Sequence, residues 1–253
     1  MTRLAIIGDG RMGRLLAALA PESGCEVVAV LNRERTAAGL TRAILGDADV
    51  AVEFTAPASA ARLVREAALA GVPVVSGTTG WDDQLAETGA YVMQSGGALL
   101  WAPNFALGVH LFAKVVAAAA RLLSAEAAGF DTHLVETHHV RKVDAPSGTA
   151  RMLADVAARA RSAPTGAAPS GDAVEGRSAP AGDEIPITSV RTGHVPGTHE
   201  LVFDAPFEQV RLVHEARDRR VFAAGALAAA RWLVQEPRRG VFTLDDFLGD
   251  VNR

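Results

Sequence analysis

The chain has 253 residues, enough for one large domain or two ordinary ones with a substantial core, and two is the starting expectation. Its 49% hydrophobic content, 24 glycines and 21% charged residues exclude a disordered chain, and the formal net charge of −4 argues against a general nucleic-acid binder. The single Cys25 cannot form an internal disulfide, the apolar run at 4–7 is too short for a signal peptide, and no stretch approaches a membrane span. These features predict a cytoplasmic protein with neither nucleic acid nor membrane as partner.

Residues 4–7 are apolar and end in Gly8-Asp9-Gly10-Arg11-Met12-Gly13, after which Leu15, Leu16 and Leu19 recur at helical spacing. Strand, glycine turn and helix are predicted. The glycines fit G-x-G-x-x-G, with Gly8 for the tight turn, Gly10 for backbone approach to a pyrophosphate, and Gly13 for close packing of helix on strand. A second apolar run at 27–31 supplies the context of a dinucleotide site. At the end of that strand an NAD-binding unit usually places an acid on the ribose 2′-hydroxyl, but here stands Asn32, followed by Arg33, Glu34 and Arg35. Asn32 does not repel a 2′-phosphate, and Arg33, with Arg11 or Arg35, can pair with one. This favours NADPH, or tolerance of both NADPH and NADH; a strand ending two residues later would make Glu34 the acid.

Strand patterns at 49–54 and 72–76 flank an alanine-rich helix at 58–70, and the alternation implies a parallel sheet. This is the α/β, Rossmann-type dinucleotide-binding architecture, in which the loops at the carboxyl ends of the strands face the ligand. Two such segments are Phe54-Thr55-Ala56-Pro57 and Gly77-Thr78-Thr79-Gly80. The competing reading of the second is an ordinary strand-to-helix connection, with Thr79 capping a helix near Trp81. A short strand at 98–101 leads through Ala102, Pro103, Asn104 and Phe105 into a long helix ending near Leu123.

Residues 131–138 then alternate, Thr132, Leu134 and Glu136 against His133, Val135 and Thr137, as in a strand with two different faces. Beyond them His138, His139, Arg141 and Lys142 crowd cationic or proton-donating groups, and Pro146, Ser147, Gly148 and Thr149 read as a proline-started helix whose N–H groups suit an anion. The competing reading is a polar loop whose histidines only bond nearby backbone. No metal is expected, because adjacent histidines on a strand point to opposite faces and no Cys or carboxylate motif accompanies them. Helical spacing continues over 149–160, and 161–183, rich in Ser, Ala, Pro and Gly, reads as a mobile lid or an exposed excursion. Strand candidates at 185–191, 199–203 and 208–216 predict a central α+β domain with a mixed or antiparallel sheet, whose broad face offers a subunit interface. An apolar helix at 222–234 and a tail at 241–248 are expected to return to the first domain. The division is then 1–108 with 218–253 for dinucleotide binding, and 109–217 for substrate binding and oligomerisation.

Several of these segments together resemble the 4-hydroxy-tetrahydrodipicolinate (dihydrodipicolinate) reductase family. The carrying residues are Gly8 to Gly13, Phe54-Thr55-x-Pro57, Gly77-Thr78-Thr79-Gly80, Pro103-Asn104-Phe105, Ser189-Val190-Arg191-x-Gly193 and Phe222-Ala223-x-Gly225-Ala226. Above all there is Glu136-x-His138-His139-x-x-Lys142-x-Asp144-Ala145-Pro146-Ser147-Gly148-Thr149-Ala150. The resemblance spans nearly the whole chain. It implies reduction of a cyclic dicarboxylate substrate by NAD(P)H, giving tetrahydrodipicolinate on the diaminopimelate and lysine route, in a homotetramer built through the central domain. It implies that His138 is the acid/base histidine, Lys142 the proton donor and His139 a substrate contact. Ser147, Gly148 and Thr149 would hold a substrate carboxylate, with Arg219 as a further substrate-binding residue. The cofactor would lie on Gly8 to Gly13, Asn32, Arg33, Phe54, Thr55, Gly77, Thr78, Thr79 and the segment from Ala102 to Phe105.

The chain departs from the family pattern in a turn before Arg11 that is one residue tighter, in Ala56 where some members carry a basic residue, and in Asn32; all three bear on cofactor choice. The segment 34–48 is also short. One alternative is another two-domain dehydrogenase of the aspartate or homoserine type, which 136–150 disfavours. Another is a non-catalytic nucleotide sensor, against which the intact His138 and Lys142 argue.

Overall fold

The computed structural model describes residues 1–123, 129–162 and 184–251, so the stretch 161–183, expected as a lid or an exposed excursion, lies, apart from its first two residues, outside the described residues. The chain divides into two compact units, Met1–Leu107 with Arg220–Arg253, and Gly108–Arg219.

The first unit runs β1 (Thr2–Ile7), α1 (Arg11–Leu19), β2 (Cys25–Leu31), α2 (Arg33–Ala37), α3 (Arg42–Leu45), β3 (Val50–Glu53), α4 (Pro57–Leu69), β4 (Val74–Ser76), a 3₁₀ turn at Asp82–Gln84, α5 (Leu85–Gln94) and β5 (Ala98–Trp101). The second holds α6 (Leu107–Leu123, whose first residue is counted with unit one), β6 (Asp131–His138), α7 (Gly148–Ser162), β7 (Ile187–Arg191), β8 (Thr198–Ala205) and β9 (Glu208–Glu215). The chain then returns to the first unit with α8 (Arg220–Gln235), β10 (Gly240–Phe242) and α9 (Leu244–Val251).

In the first unit six strands pair in the order β10-β5-β4-β3-β1-β2, every pair parallel. A parallel sheet is covered on both faces, which is why β3, β4 and β5 are buried along their whole length and are apolar except for the last residues of β3 and β4, Glu53 and Ser76. Alternation sorts their side chains. Leu4, Ile6, Val50, Val52 and Leu100 share a core with Leu16 of α1 and with Ala226, Leu227 and Leu233 of α8. Ala5, Ile7, Ala51 and Leu99 pack instead with Ala60, Leu63, Val64 and Ala67 of α4.

Three glycines set the closeness of this packing. Gly8 has φ +108°, and a Cβ there would lie 2.1 Å from the Phe54 carbonyl oxygen. A Cβ on Gly13 would lie 1.9 Å from the Gly8 carbonyl oxygen, and one on Gly225 in α8 would lie 1.8 Å from that of Phe105.

Two helices here go beyond the sequence expectations. α2 and α3 are too short to display a period, and each starts on a side-chain cap: Arg35 N–H donates to Asn32 Oδ1 at 2.9 Å, and Ile44 N–H to Thr41 Oγ1 at 3.3 Å. The turn into α5 is not capped by Thr79, as that reading required. The buried Trp81 holds it, its Nε1 donating to the Thr78 carbonyl at 2.7 Å.

In the second unit four strands pair in the order β7-β6-β8-β9; β6 and β7 are parallel and the other pairs antiparallel, so the sheet is mixed. One face shares a core with the two helices: Val116 and Ala120 of α6 and Leu153 and Ala157 of α7 meet Leu134, Leu201 and Phe203. α7 starts at Gly148, and its cap is Ser147, whose Oγ accepts from Ala150 N–H at 3.1 Å. The expected proline start is therefore corrected: Pro146 precedes the cap, joined to Ala145 by a cis peptide bond.

Candidate active site

In the first unit, the sequence-derived cofactor residues all fall where strands β1 to β5 end. Gly8, Asp9, Gly10, Arg11, Met12 and Gly13 follow or begin after β1, Asn32 and Arg33 follow β2, and Phe54 and Thr55 follow β3. Gly77, Thr78 and Thr79 follow β4, and Ala102, Pro103, Asn104 and Phe105 follow β5. The strand order reverses at β1, which lies between β2 and β3, and such a reversal is where open parallel sheets take ligands. The loops after β1 and β3 touch there, through Gly8 and Phe54.

The glycine turn divides its labour. Gly8 and Gly13 are packed tight, whereas a Cβ on Gly10 would meet nothing within 4 Å. Gly10 is also the cap of α1 and supplies no side-chain hydrogen bond to the helix's first amides. Open space beside an uncapped helix start suits a pyrophosphate, so these residues fit a dinucleotide.

A residue that the sequence reading passed over braces this edge. Glu53, fully buried at the end of β3, accepts from Thr55 N–H at 2.8 Å, from the Thr55 hydroxyl, and from Ser76 Oγ and Thr78 Oγ1 at 2.6 Å each. One carboxyl group thus ties the loop after β3 to the loop after β4. Thr78 also offers its carbonyl to Trp81 and, at 3.1 Å, to Trp101. The Phe54 ring lies over Gly77, where a Cβ would come within 2.1 Å of it, and meets Phe105 edge-on at 6.0 Å. At the end of β2, Asn32 is the cap of α2, Glu34 lies inside that helix, and Arg35 Nη1 donates to the Val30 carbonyl at 3.0 Å.

In the second unit, strand register assembles the site. Glu136 of β6 pairs with Ser189 of β7 and His199 of β8, and His199 pairs with His214 of β9, which lines four polar residues across the sheet. His138, two residues on, points to the same side and pairs with Arg191. Glu136 is fully buried, and its Oε1 accepts from Ser147 N–H at 3.0 Å, Ser189 Oγ at 2.7 Å and Arg191 Nη2 at 2.7 Å. Its Oε2 lies 3.0 Å from His138 Nδ1, without the alignment of a hydrogen bond. Burial alone would raise the Glu136 pKa, but the donors from Ser147, Arg191 and Ser189 outweigh it and hold it at about 2.

Burial lowers the pKa of His138, and Glu136 opposes that shift. Burial also lowers that of His199, to about 4, with His138 adding to the effect. The two rings meet edge-on at 5.3 Å, and His199 Nε2 lies 3.3 Å from Ser147 Oγ. Beyond β6 the chain turns back, with Lys142 N–H donating to the His139 carbonyl and His139 N–H to the Val195 carbonyl. Lys142 Nζ pairs with both oxygens of Asp144, at 2.8 and 2.9 Å, and this bond is the main cause of Asp144's lowered pKa.

Of the substrate residues expected from the sequence, Ser147 is buried and committed within the protein through its amide, its hydroxyl and its contact with His199. Gly148 is exposed, with open space where a Cβ would sit, and Thr149 is half-buried beside it. Arg219 is exposed and closes the unit. The donor atoms of Glu136, His138 and His199 lie within 4.8 Å of one another, a grouping that adjacent histidines alone do not suggest. The Arg191 guanidinium on the same carboxylate opposes a metal cation there. Glu136, Arg191 and His199 carried no assigned role in the sequence reading; the only signal for them was the Glu136 and Ser189-x-Arg191 motif positions.

Residues 2–105 match the family profile described as dihydrodipicolinate reductase, N-terminus, and residues 108–248 the one described as dihydrodipicolinate reductase, C-terminus. The 4-hydroxy-tetrahydrodipicolinate reductase of Thiobacillus denitrificans is 38% identical, the match covering 98% of this chain and 98% of that one. That of Archaeoglobus fulgidus is 36% identical over 97% of this chain and 99% of its own length. Among solved structures, a dihydrodipicolinate reductase from Paenisporosarcina sp. TG-14 with dipicolinate bound superposes with a TM-score of 0.74 at 25% identity, covering 96% of this chain and 97% of that one. A probable dehydrogenase from Thermotoga maritima, at 11% identity and TM-score 0.55 over 96% of this chain and 92% of its own, shares the fold. The chain belongs to the dihydrodipicolinate reductase family.

Proposed function

We propose that this family member reduces 4-hydroxy-tetrahydrodipicolinate to tetrahydrodipicolinate with NADPH or NADH, on the diaminopimelate and lysine biosynthetic route. The observation that carries the reading is the way 136–150 folds: Glu136 gathers His138, Arg191 and the start of α7 around one carboxylate, with Lys142 on the turn between. A dicarboxylate needs cations and N–H donors, and a net-acidic chain concentrates them here.

The first unit is the dinucleotide-binding domain, and the cofactor, when bound, supplies a hydride. Gly10 leaves room for the pyrophosphate at the start of α1, the Glu53-braced Thr55 and Thr78 and the neighbouring Gly77 and Thr79 line the same edge, and Asn32 with Arg33 admits a 2′-phosphate, which favours NADPH. The second unit binds substrate. Loss of the substrate's 4-hydroxyl as water leaves a conjugated imine; one ring carbon then receives the hydride and its neighbour a proton, which Lys142 supplies from Nζ, oriented by Asp144. His138 is the acid/base partner, His139 contacts the substrate, and Gly148 and Thr149 hold a carboxylate on the α7 start that Ser147 shapes, with Arg219 adding a cation.

The sheet face opposite α6 and α7, where Val190 and Val213 are exposed, is proposed as the contact of a homotetramer. No described helix is long and apolar enough to cross a membrane, and the buried lone Cys25 fits the cytoplasm, the proposed location. The test is NADPH oxidation that depends on freshly generated 4-hydroxy-tetrahydrodipicolinate. Turnover is expected with that substrate and not without it; no turnover would remove the enzyme reading in favour of a nucleotide sensor.

A further inference from the structure

We propose that Glu136 is a positioning residue that fixes His138 as the Nδ1–H tautomer, making Nε2 the atom through which His138 exchanges its proton. The inference rests on His138 being the acid/base group of the proposed reaction.

The first ground is the 3.0 Å approach of Glu136 Oε2 to His138 Nδ1. Both residues are buried, at 0% and 7% exposure, so no solvent screens the contact. The contact is not aligned as a hydrogen bond, so it acts as a charge contact: a carboxylate oxygen at that distance is repelled by an electron-rich unprotonated Nδ1 and attracted by a protonated one. The second ground is that the carboxylate is held from its other oxygen. Oε1 takes Ser147 N–H, Ser189 Oγ and Arg191 Nη2, and the same Nη2 donates to the Asp144 carbonyl at 2.6 Å. With three donors on Oε1, Oε2 cannot turn from His138 without breaking them.

The third ground is the far side of the ring. A Cβ on Gly197 would lie 3.0 Å from His138 Nε2, so any other residue at this position would crowd that nitrogen. His199 packs edge-on against the ring and so limits its rotation. The charged groups around His138 are Glu136 and Asp144 against Lys142 and Arg191, with His199 the other titratable neighbour. Burial lowers the His138 pKa, so the neutral ring, in which the choice of tautomer has meaning, is the form at pH 7.

The proton balance is simple. In the imidazolium both nitrogens carry a proton; Nε2 gives its proton up and later regains one, while Nδ1 keeps its own against Glu136. Glu136, held as the anion, stays unprotonated throughout. It acts as a carboxylate that orients an imidazole and stabilises its charged form, without itself taking the proton.

The experiment is nitrogen-15 NMR of the full chain labelled at histidine, with His138→Gln identifying the His138 signals. Near pH 7 the wild type is expected to show a neutral ring protonated at Nδ1; protonation at Nε2 overturns the inference. This measurement needs no turnover, so it decides the inference even if the NADPH-oxidation assay shows no reduction and the functional reading fails. In Glu136→Gln, the amide carbonyl is expected to stay with the three donors and turn its NH₂ toward Nδ1. The tautomer then switches to Nε2–H, and kcat falls on the order of 100-fold while KM for the substrate stays within about threefold. A folded variant with unchanged tautomer, unchanged kcat or only a raised KM overturns the inference. If that variant does not fold, the wild-type spectrum alone still decides between the two tautomers.

Discussion

Glu53 and Glu136 are two fully buried glutamates, one in each unit, and they keep different company. Every donor to Glu53 is an amide or hydroxyl, from Thr55, Ser76 and Thr78, and these link two loop starts on the parallel sheet. Glu136 receives comparable hydroxyl and amide donors, but it also takes the Arg191 guanidinium and faces the His138 ring. The same side chain in the same burial therefore does two jobs. Among neutral donors it is a brace for backbone; beside the Arg191 guanidinium and the His138 ring it is an anion set against groups that carry or exchange charge.

The largest expected effect separates the two units outright. Lys142→Met should lower kcat by roughly 100- to 10,000-fold, the range of a lost general acid, while NADPH affinity measured by fluorescence titration stays within about twofold. Near-native turnover would show that the second unit's charges do not deliver the proton.

Next comes acid stability, which should report Glu136. Its pKa is held at about 2, below the ordinary 4.5, so its stabilisation is fully present above about pH 4.5 and is lost as the pH falls toward 2. At about 1.4 kcal/mol per unit the loss is on the order of 3 kcal/mol. Glu136→Gln should flatten that part of the pH dependence in chemical denaturation; an unchanged slope would mean the hydrogen bonds do not hold the anion in solution.

A smaller effect is expected at the neutral brace. Glu53→Gln turns one acceptor oxygen into a donor NH₂ facing hydroxyls, costing about 1–3 kcal/mol of stability. It should weaken NADPH binding while leaving the His138 tautomer unchanged. A shift in that tautomer would collapse the distinction between the two glutamates.

The smallest effect is confined to the cofactor edge. Asn32→Asp keeps the α2 cap, because an aspartate oxygen accepts the Arg35 N–H equally well, but places a negative charge near a 2′-phosphate. The ratio of NADPH to NADH affinity should fall about tenfold, the equivalent of about 1.4 kcal/mol, at unchanged melting temperature. A constant ratio would show that this position does not read the ribose.

The sequence made the long-period features legible. The β1 glycine turn, the strand–helix alternation and the two-faced 131–138 strand all announce themselves locally, since each needs only neighbours within a few residues. The short helices α2 and α3 were hidden because five and four residues cannot show a 3.6-residue period. Roles for Glu53, His199 and Arg191 were hidden for another reason. Their meaning comes from pairings with residues far along the chain, such as Ser76 for Glu53 and Glu136 for Arg191 and His199, and sheet register is not written in any one strand. Ser147 shows the limit of motif reading: the motif marked the residue, but only the structure shows that its hydrogen-bonding groups are taken up as cap and carboxylate partner.

The close seat of Gly225 under the Phe105 carbonyl, and the core that α8 shares with β1, β3 and β5, bear on how the chain is made. As the polypeptide emerges from a ribosome, Leu4, Ile6, Val52 and Leu100 are ready long before the helix that covers them. Until all of Gly108–Arg219 has been synthesised, that face of the first unit is covered by α1 without α8, and the β5 edge lacks β10. The second unit, continuous in sequence, is complete before α8, β10 and α9 emerge to finish the first.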